Sequence, residues 1–502
     1  MTLLKWGPWL PDLPNYGGGG EPGVTTANNV VPHFESYRPF LQFARYSDNG
    51  HIPGIVYGAF SCISGAGTVF NFAGTATKLY MASTDGLTWI DVTRAVGGNY
   101  ALVSGKSWSF SQFNDVVFAQ NGFDVAQKFV LDVSAKFIND ANVPIASFTA
   151  TVRGFSVIAN TPVQGKEVRW SAVFDPLDWV PSDATMADSQ LLPDGGDTSG
   201  LVGGEIGIVF QRRAITRMVF AGPPLTFSFD KISTTLGCHA PRSIAHYGDF
   251  IFFMAENGMH MLRGGQEVVP IGEGKIDRWL LSNLDQTNLV HMSAATDPAR
   301  KLYILGIPTH RNDGRADTLL IYHWPTGKWS TVDFTHDMIM QAYTQSGYNL
   351  DTIDALNPNP PNTTGIDGMD FSFDSNVFSG GGALGLSAFN ATHYNGFFIG
   401  PPLTATVETD DIQLVPQRKS LLLAARPIIE GATVTMRLAD YVHDQQQQPS
   451  TLAHASVAPN YKGLCPMRAS GRYHRLSLDI EAGSDWEHAI GIDDINFKPQ
   501  SE

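Results

Sequence analysis

Several places in the sequence bring together side chains that could do chemistry, and each is read against the geometry that chemistry needs. Gly272-Glu273-Gly274-Lys275 has the look of a phosphate-cradling loop. It lacks the earlier glycine at the required spacing, and Ile276 stands where Ser or Thr would bind magnesium, so a plain turn is expected. Cys238 and His239, with His246 close by, are metal-ligand types. Neighbours on a strand point to opposite faces, so this pair cannot share an ion without a bend, and ordinary loop residues are expected. Carboxylates are adjacent at Asp410-Asp411 and Asp493-Asp494. Glycoside hydrolysis needs two carboxyls facing each other across a cleft, which adjacent strand residues cannot supply.

Arg212, Arg213 and Arg217 lie close in sequence and could hold an anionic substrate. Read as strand residues, Arg212 and Arg213 alternate faces, so salt bridges at a subunit contact are the expected use of all three. His443 and Asp444 adjoin the polar run Gln445–Gln448, where solvation accounts for them. Trp108, Trp170, Trp179 and Trp279 could stack sugars, but in a β-rich chain such residues close hairpins and fill space between sheets. No Walker A, His-Glu-x-x-His, EF-hand or nucleophile-elbow pattern is present. The chain is therefore read as a non-enzyme without a cofactor or metal site.

The elements that carry these residues follow from composition and pattern. Fifty glycines, 30 prolines and 30 phenylalanines in 502 residues favour many turns and an all-β architecture. The net charge of −15 is wrong for gripping DNA, where affinity comes from neutralising phosphates. It suits a wall past which DNA slides. Cys62, Cys238 and Cys465 lie far apart and give no disulfide framework, which fits assembly in a reducing cytoplasm. The first fifteen residues form no signal-peptide core, and no run of about eighteen apolar residues suggests a membrane span.

Along the chain, residues 1–50 read as an extended arm with a flexible break at Gly17–Gly20. From 51 to 350 an apolar strand, a turn and a second strand recur roughly every 40 to 50 residues, the spacing of propeller blades. Val116–Gly122, Phe155–Asn160, Ile206–Phe210, Phe250–Gly258 and Lys301–Gly306 are continuous apolar runs, as strands buried on both faces require. Ser83-Thr84-Asp85-Gly86-Leu87-Thr88-Trp89 resembles the Asp-box hairpin of sialidase-like propellers, shorter by a residue. Residues 351–400 read as an irregular contact segment, and Asp367, Asp370 and Asp374 within it are candidate subunit contacts. Residues 401–502 alternate apolar and polar, as in half-buried antiparallel strands. The expected fold is all-β: a propeller of six or seven irregular blades with an additional C-terminal antiparallel β-sandwich.

A string of local motifs runs from Val152 to Trp279: Arg169-Trp170-Ser171, Asp175-Pro176-Leu177-Asp178-Trp179, Gly203-Gly204-Glu205, Phe210–Ile215, Gly222-Pro223-Pro224, Phe227–Asp230, Gly237-Cys238-His239-Ala240-Pro241, Asn257-Gly258 and Pro270–Asp277. In order and spacing they resemble the tail nozzle proteins of short-tailed bacteriophages, also called tail tubular protein B or packaged-DNA stabilisation proteins. The resemblance spans roughly residues 80 to 500 and extends to Ser470–Tyr473 and Trp486–Asp493. It implies a structural virion protein, assembled in the host cytoplasm as a homohexameric ring below the portal and its adaptor. Such a ring continues the DNA channel, retains the packaged genome and docks tail fibres, spikes or a needle. Double-stranded DNA would pass without sequence-specific binding. The alternative reading of the Asp-box-like hairpin is a sialidase-like propeller that binds or cleaves glycans.

Overall fold

The computed structural model describes residues 3–15, 23–47, 49–84, 86–312, 314–345, 382–444 and 450–500. The apolar runs singled out above occupy one repeated position. Val116–Gln120, Phe155–Ala159, Gly207–Gln211, Phe250–Ala255 and Leu302–Pro308 are each the second strand of a four-stranded antiparallel unit. Each is buried along nearly its whole length, because a neighbouring unit covers either face. Fourth strands are open to solvent by contrast, as in Ile138–Asn139 and Asp188–Leu191.

Seven such units follow one another among the described residues. Five are consecutive, spanning Gly58–Asp91, Ser109–Asn139, Phe148–Leu191, Thr198–Ser233 and Ala245–Pro270. The sixth is Ser293–Asp297, Leu302–Pro308, Ala316–His323 and the first part of the long strand Lys328–Tyr343. That strand hands over near His336, where the register shifts, and its second part opens the seventh unit by pairing with Leu384–Asn390. Asn395–Pro402 comes next, and the outermost strand is Leu41–Arg45 from the far end of the chain.

First strands neighbour one another from unit one to unit four and again from unit five through unit seven back to unit one. Units four and five are joined by a shared apolar cluster of Val202, Ile208 and Phe210 with Ile251 and Phe253. The ring is closed. This is a seven-bladed β-propeller.

The remaining strands build the expected antiparallel sandwich. One sheet carries Ala405–Thr409, Met436–His443, Thr451–Val457 and Tyr473–Ile480, with Val24–Asn28 added at its edge. The other carries Ser420–Thr433, Cys465–Gly471 and Asp485–Pro499, with Leu4–Lys5 and Tyr37–Pro39 added. The N-terminal stretch read as an extended arm thus supplies strands to both modules. It cannot bury much alone, but it caps sheet edges that would otherwise be open. Similarly, 384–400 of the stretch read as an irregular contact segment falls in two blade strands, Leu384–Asn390 and Asn395–Pro402, while Asp367, Asp370 and Asp374 lie outside the described residues.

One apolar core runs across the junction. Trp6, Trp9, Phe252, Tyr303 and Trp329 share it with Leu422, Leu478 and Trp486 of the sandwich. Asp12 adds a polar tie, accepting from the backbone N–H of Arg278 and Trp279 at 2.9 and 2.8 Å at the start of the short helix Asp277–Asn283. No helix among the described residues is long and apolar enough to cross a membrane.

Two motifs of the string seat one blade against the next, and a third packs the fifth blade on the helix that follows it. Gly204 N donates to Thr151 O at 2.9 Å, and a Cβ on Gly203 would stand 2.2 Å from that oxygen. Cys238 N donates to Gln211 O at 3.0 Å, and a Cβ on Gly237 would stand 2.1 Å from it. Gly258 and Gly272 leave the space taken by the Asp277 carboxylate, which accepts from Met259 N at 2.9 Å. Burial raises the Asp277 pKa to about 6, only partly offset by that hydrogen bond.

Gly237→Ala is expected to cost on the order of 2 kcal/mol in urea unfolding, because backbone rather than a flexible side chain must move. An unchanged midpoint would show that the approach is not tight. The folded chain also holds a proton on Asp277 that the unfolded chain, with an ordinary carboxyl, releases at lower pH. This group's contribution to stability therefore falls as pH rises from about 4 to about 6. Asp277→Asn should flatten the stability–pH curve across that window.

Candidate functional site

The sandwich interior holds a Ser-His-Asp constellation that no sequence motif announced. In the pairing of Met436–His443 with Tyr473–Ile480, Asp440 stands opposite Leu476 and Val442 opposite His474. Asp440 and His474 are therefore diagonal neighbours on one face. Ser420 comes from the facing sheet. Ser420 Oγ lies 3.0 Å from His474 Nε2, and His474 Nδ1 lies 2.7 Å from Asp440 Oδ2. Burial raises the Asp440 pKa against the lowering influence of His474.

These are the distances of a nucleophile, base and orienting acid. Access is the missing element. Ser420, His474 and Asp440 each have 0% exposure, so a substrate has no path to the hydroxyl. What the three do instead is bridge two sheets with hydrogen bonds in a dry interior. The available sequence signal was a register anomaly. Asp440 shares the inward face with Leu438 and Val442, and His474 shares its own with Leu476, Leu478 and Ile480.

A second network lies beside it. Asp411 accepts from Arg475 Nε at 3.0 Å and Nη2 at 2.9 Å, and its other oxygen lies 3.0 Å from His443 Nε2. His443 also stacks on Tyr473 with ring centroids 4.8 Å apart. Solvation was expected to account for His443; the side chain is in fact buried, on the face opposite Asp440, where Tyr473 stacks on it and Asp411 pairs with it. Its neighbour Asp444 is half-exposed and pairs with Lys419 at 2.6 Å. Asp410 accepts from Gly23 N at 2.9 Å, so the adjacent carboxylates Asp410 and Asp411 serve different partners. Asp494 pairs with Arg426 at 3.0 Å.

Arg212 and Arg213 occupy the hairpin turn between Gly207–Gln211 and Ile215–Phe220, not a strand, and therefore do not alternate faces. Both reach Glu256 of the next blade, at 3.2 and 3.4 Å. Arg217 pairs with Asp230 of the adjacent strand at 3.1 Å. The structure thus brings Arg212 and Arg213 together and leaves Arg217 apart.

Gly272–Lys275 is a turn, and Lys275 Nζ donates to Gly327 O at 3.0 Å. Cys238 is a buried loop residue whose thiol approaches Ala240 O at 3.1 Å, and His239 follows it outside any strand. Trp108, Trp170 and Trp179 are buried, donating to Thr75 O, Met186 O and Pro176 O at 2.8 Å each, and Trp279 packs edge-on against Trp9. The hairpin Ser83–Trp89 is tied by Ser83 Oγ, which accepts from Thr88 N at 3.0 Å, while Trp89 packs on Phe389.

Two clefts remain. One, of about 440 Å³, lies at the junction of propeller and sandwich beside His33, Phe34, Arg38, Lys301 and His323. Burial and the nearby cationic groups His33, Lys301 and Lys328 bring the His323 pKa down to about 4, so its ring is neutral at pH 7. The other, of about 660 Å³, lies at one end of the propeller axis.

No protein-family model and no curated protein matches the chain. Among solved structures it is similar to YCF48 in a peptide complex, at 11% identity and TM-score 0.36 over 60% of this chain and 86% of that one. It is also similar to the extracellular domain of a one-component system from B. thetaiotaomicron, at 9% and 0.39 over 84% and 47%. A third is a chain of the BBS1N–ARL6DN complex, at 10% and 0.37 over 72% and 97%. None of the three is described as a phage tail component, and likeness at this level carries no argument about function.

If the triad is a clamp, the cost of breaking it depends on what charge is left behind. Ser420→Ala is expected to cost about 1 kcal/mol, a lost hydrogen bond. His474→Ala strands the Asp440 carboxylate and should cost roughly 3–5 kcal/mol. Urea unfolding of both variants measures the difference. Ester hydrolysis by the parent chain that disappears in Ser420→Ala would replace the clamp with an active site.

Proposed function

We propose that this chain is a structural component of a phage tail, six copies of which form the nozzle ring that extends the DNA channel. The observation that carries the reading is the motif string from Arg169 to Asp277. Its order resembles the nozzle family, and its motifs Gly203-Gly204 and Gly237-Cys238 lie at close backbone contacts where one blade meets the next, not around a reaction centre. A ring subunit needs this kind of stitched, shape-holding body.

Two further observations support it. The single core shared by propeller and sandwich lets force pass between the modules without a hinge. In addition, Phe174, Val180 and Leu225 are 77%, 71% and 71% exposed on loops at the same end of the third and fourth blades. Apolar side chains held out on rigid loops suit docking of a second protein surface. Six copies at −15 each carry about −90, and a lumen lined by part of that charge repels phosphates and lets DNA slide. In this reading the partners are the neighbouring copies, the portal-adaptor, a fibre, spike or needle, and the DNA in transit.

Electron microscopy of tails bound by an antibody to this chain should place it in a sixfold density around an axial channel. In native mass spectrometry of the purified chain, Phe174→Asp and Leu225→Asp together should reduce the hexamer at least tenfold while leaving thermal unfolding unchanged. A purified chain that stays monomeric, on a source without phage particles, would overturn the assignment and turn attention to the glycan-binding alternative.

A further inference from the structure

The cleft at the end of the propeller axis is lined by the segments that lead into the innermost strands. Lys106 and Ser107 precede Ser109–Phe113, Asp197 precedes Thr198–Val202, and His239 and Arg242 precede Ala245–Tyr247. The motif Gly237–Pro241 places the last two. Gly237 presses against Gln211 O, Cys238 N donates to that oxygen, and His239 N donates to Met254 O at 2.8 Å.

Arg242 is the unusual member. Its Nη1 donates to two backbone carbonyls, Tyr57 O at 3.1 Å and Val290 O at 3.0 Å, which ties the approaches to the first and sixth blades. Its Nη2 is sealed from solvent and has no hydrogen-bond partner among the described residues. No carboxylate of the described residues forms an ion pair with it; Asp337 is near enough to be felt, but its carboxylate is bonded to His393 Nδ1 and Val56 N. Burial pulls the Arg242 pKa down to about 10, so the group remains charged at neutral pH.

A guanidinium enclosed without a counter-charge makes the space beside it favourable for an anion. The rest of the wall agrees. Lys106 Nζ lies 3.2 Å from Ser147 Oγ with no carboxylate partner among the described residues. Arg212 stands at the rim, held by Glu256, and His239 Nδ1 has no hydrogen-bond partner among the described residues. Asp197 is the single acid among the lining residues. Two cationic side chains without an ion pair among the described residues, Arg242 and Lys106, stand out in a chain of net charge −15.

We propose that this axial cleft binds a small oxyanion, a phosphate or carboxylate group borne on a polar ligand, with Arg242 as the fixed charge behind it and Lys106 as the direct contact. The hydroxyl and amide groups of Ser107, Asn160 and Ser199 supply donors and acceptors for the rest of such a ligand. The inference does not depend on the nozzle reading.

Isothermal titration of the full chain with sodium phosphate, and separately with sodium glucuronate, at ionic strength held constant with sodium chloride, tests it. Saturable one-to-one binding of either is expected, and which of them binds identifies the oxyanion as phosphate or carboxylate. Lys106→Gln and His239→Gln should each weaken that binding at least tenfold with the melting temperature preserved. Lys462→Gln, on an exposed loop of the sandwich away from the cleft, should leave it unchanged. Arg242→Gln removes a tie between blades and is read alongside its melting curve: the ligand should no longer raise its melting temperature. Absence of saturable binding by both probes, or an affinity unmoved in Lys106→Gln and His239→Gln, overturns the proposal.

Discussion

The pairing of Leu41–Arg45 with Asn395–Pro402 is the constraint on which the architecture depends. A ring of blades removes free sheet edges only if its last blade is complete, and here the missing strand arrives from the N-terminal end. The same segment, before that strand, adds Val24–Asn28 to one sheet of the sandwich and Tyr37–Pro39 to the other. The two ends of the chain must therefore meet before either module is finished. Such contacts carry a large loop-closure cost and form late. Once made, they lock the propeller and the sandwich into one core, with Trp6 and Trp9 between them.

Around that frame the interior uses polar groups as fasteners. Ser420, His474 and Asp440 join the two sheets of the sandwich, and Asp411 gathers Arg475 and His443 beside them. In the propeller the corresponding work is done by backbone: Gly204 to Thr151, Cys238 to Gln211, His239 to Met254. Dry surroundings strengthen each such bond and make an unpaired partner expensive. The triad geometry shows how little a constellation of residue types says about catalysis without a route for the substrate. Its three members have the right distances and the wrong place.

Surface and interior divide the labour differently at the two ends of the propeller. One end collects Arg242, Lys106, Arg212 and His239 around the axis. The other carries the exposed apolar tips Phe174, Val180 and Leu225. The two ends of the propeller are therefore chemically distinct faces. Arg212, Arg213 and Arg217, expected at a subunit contact, are engaged with Glu256 and Asp230 of the same chain.

Period and turn chemistry, written locally, made the all-β class, the blade spacing and the C-terminal sandwich legible from the sequence. Apolar runs such as Phe155–Ala159 have to be buried on both faces wherever they sit. The sequence could not tell that the ring would have seven blades, because one strand of the seventh lies some 350 residues away from its partner. Nor could it place Asp440 beside His474 and Ser420, or leave Arg242 without a counter-charge. Those outcomes depend on register between strands and on which loops converge at an axis. Both are settled by packing of the whole chain, since local preference constrains what a segment becomes but not what it meets.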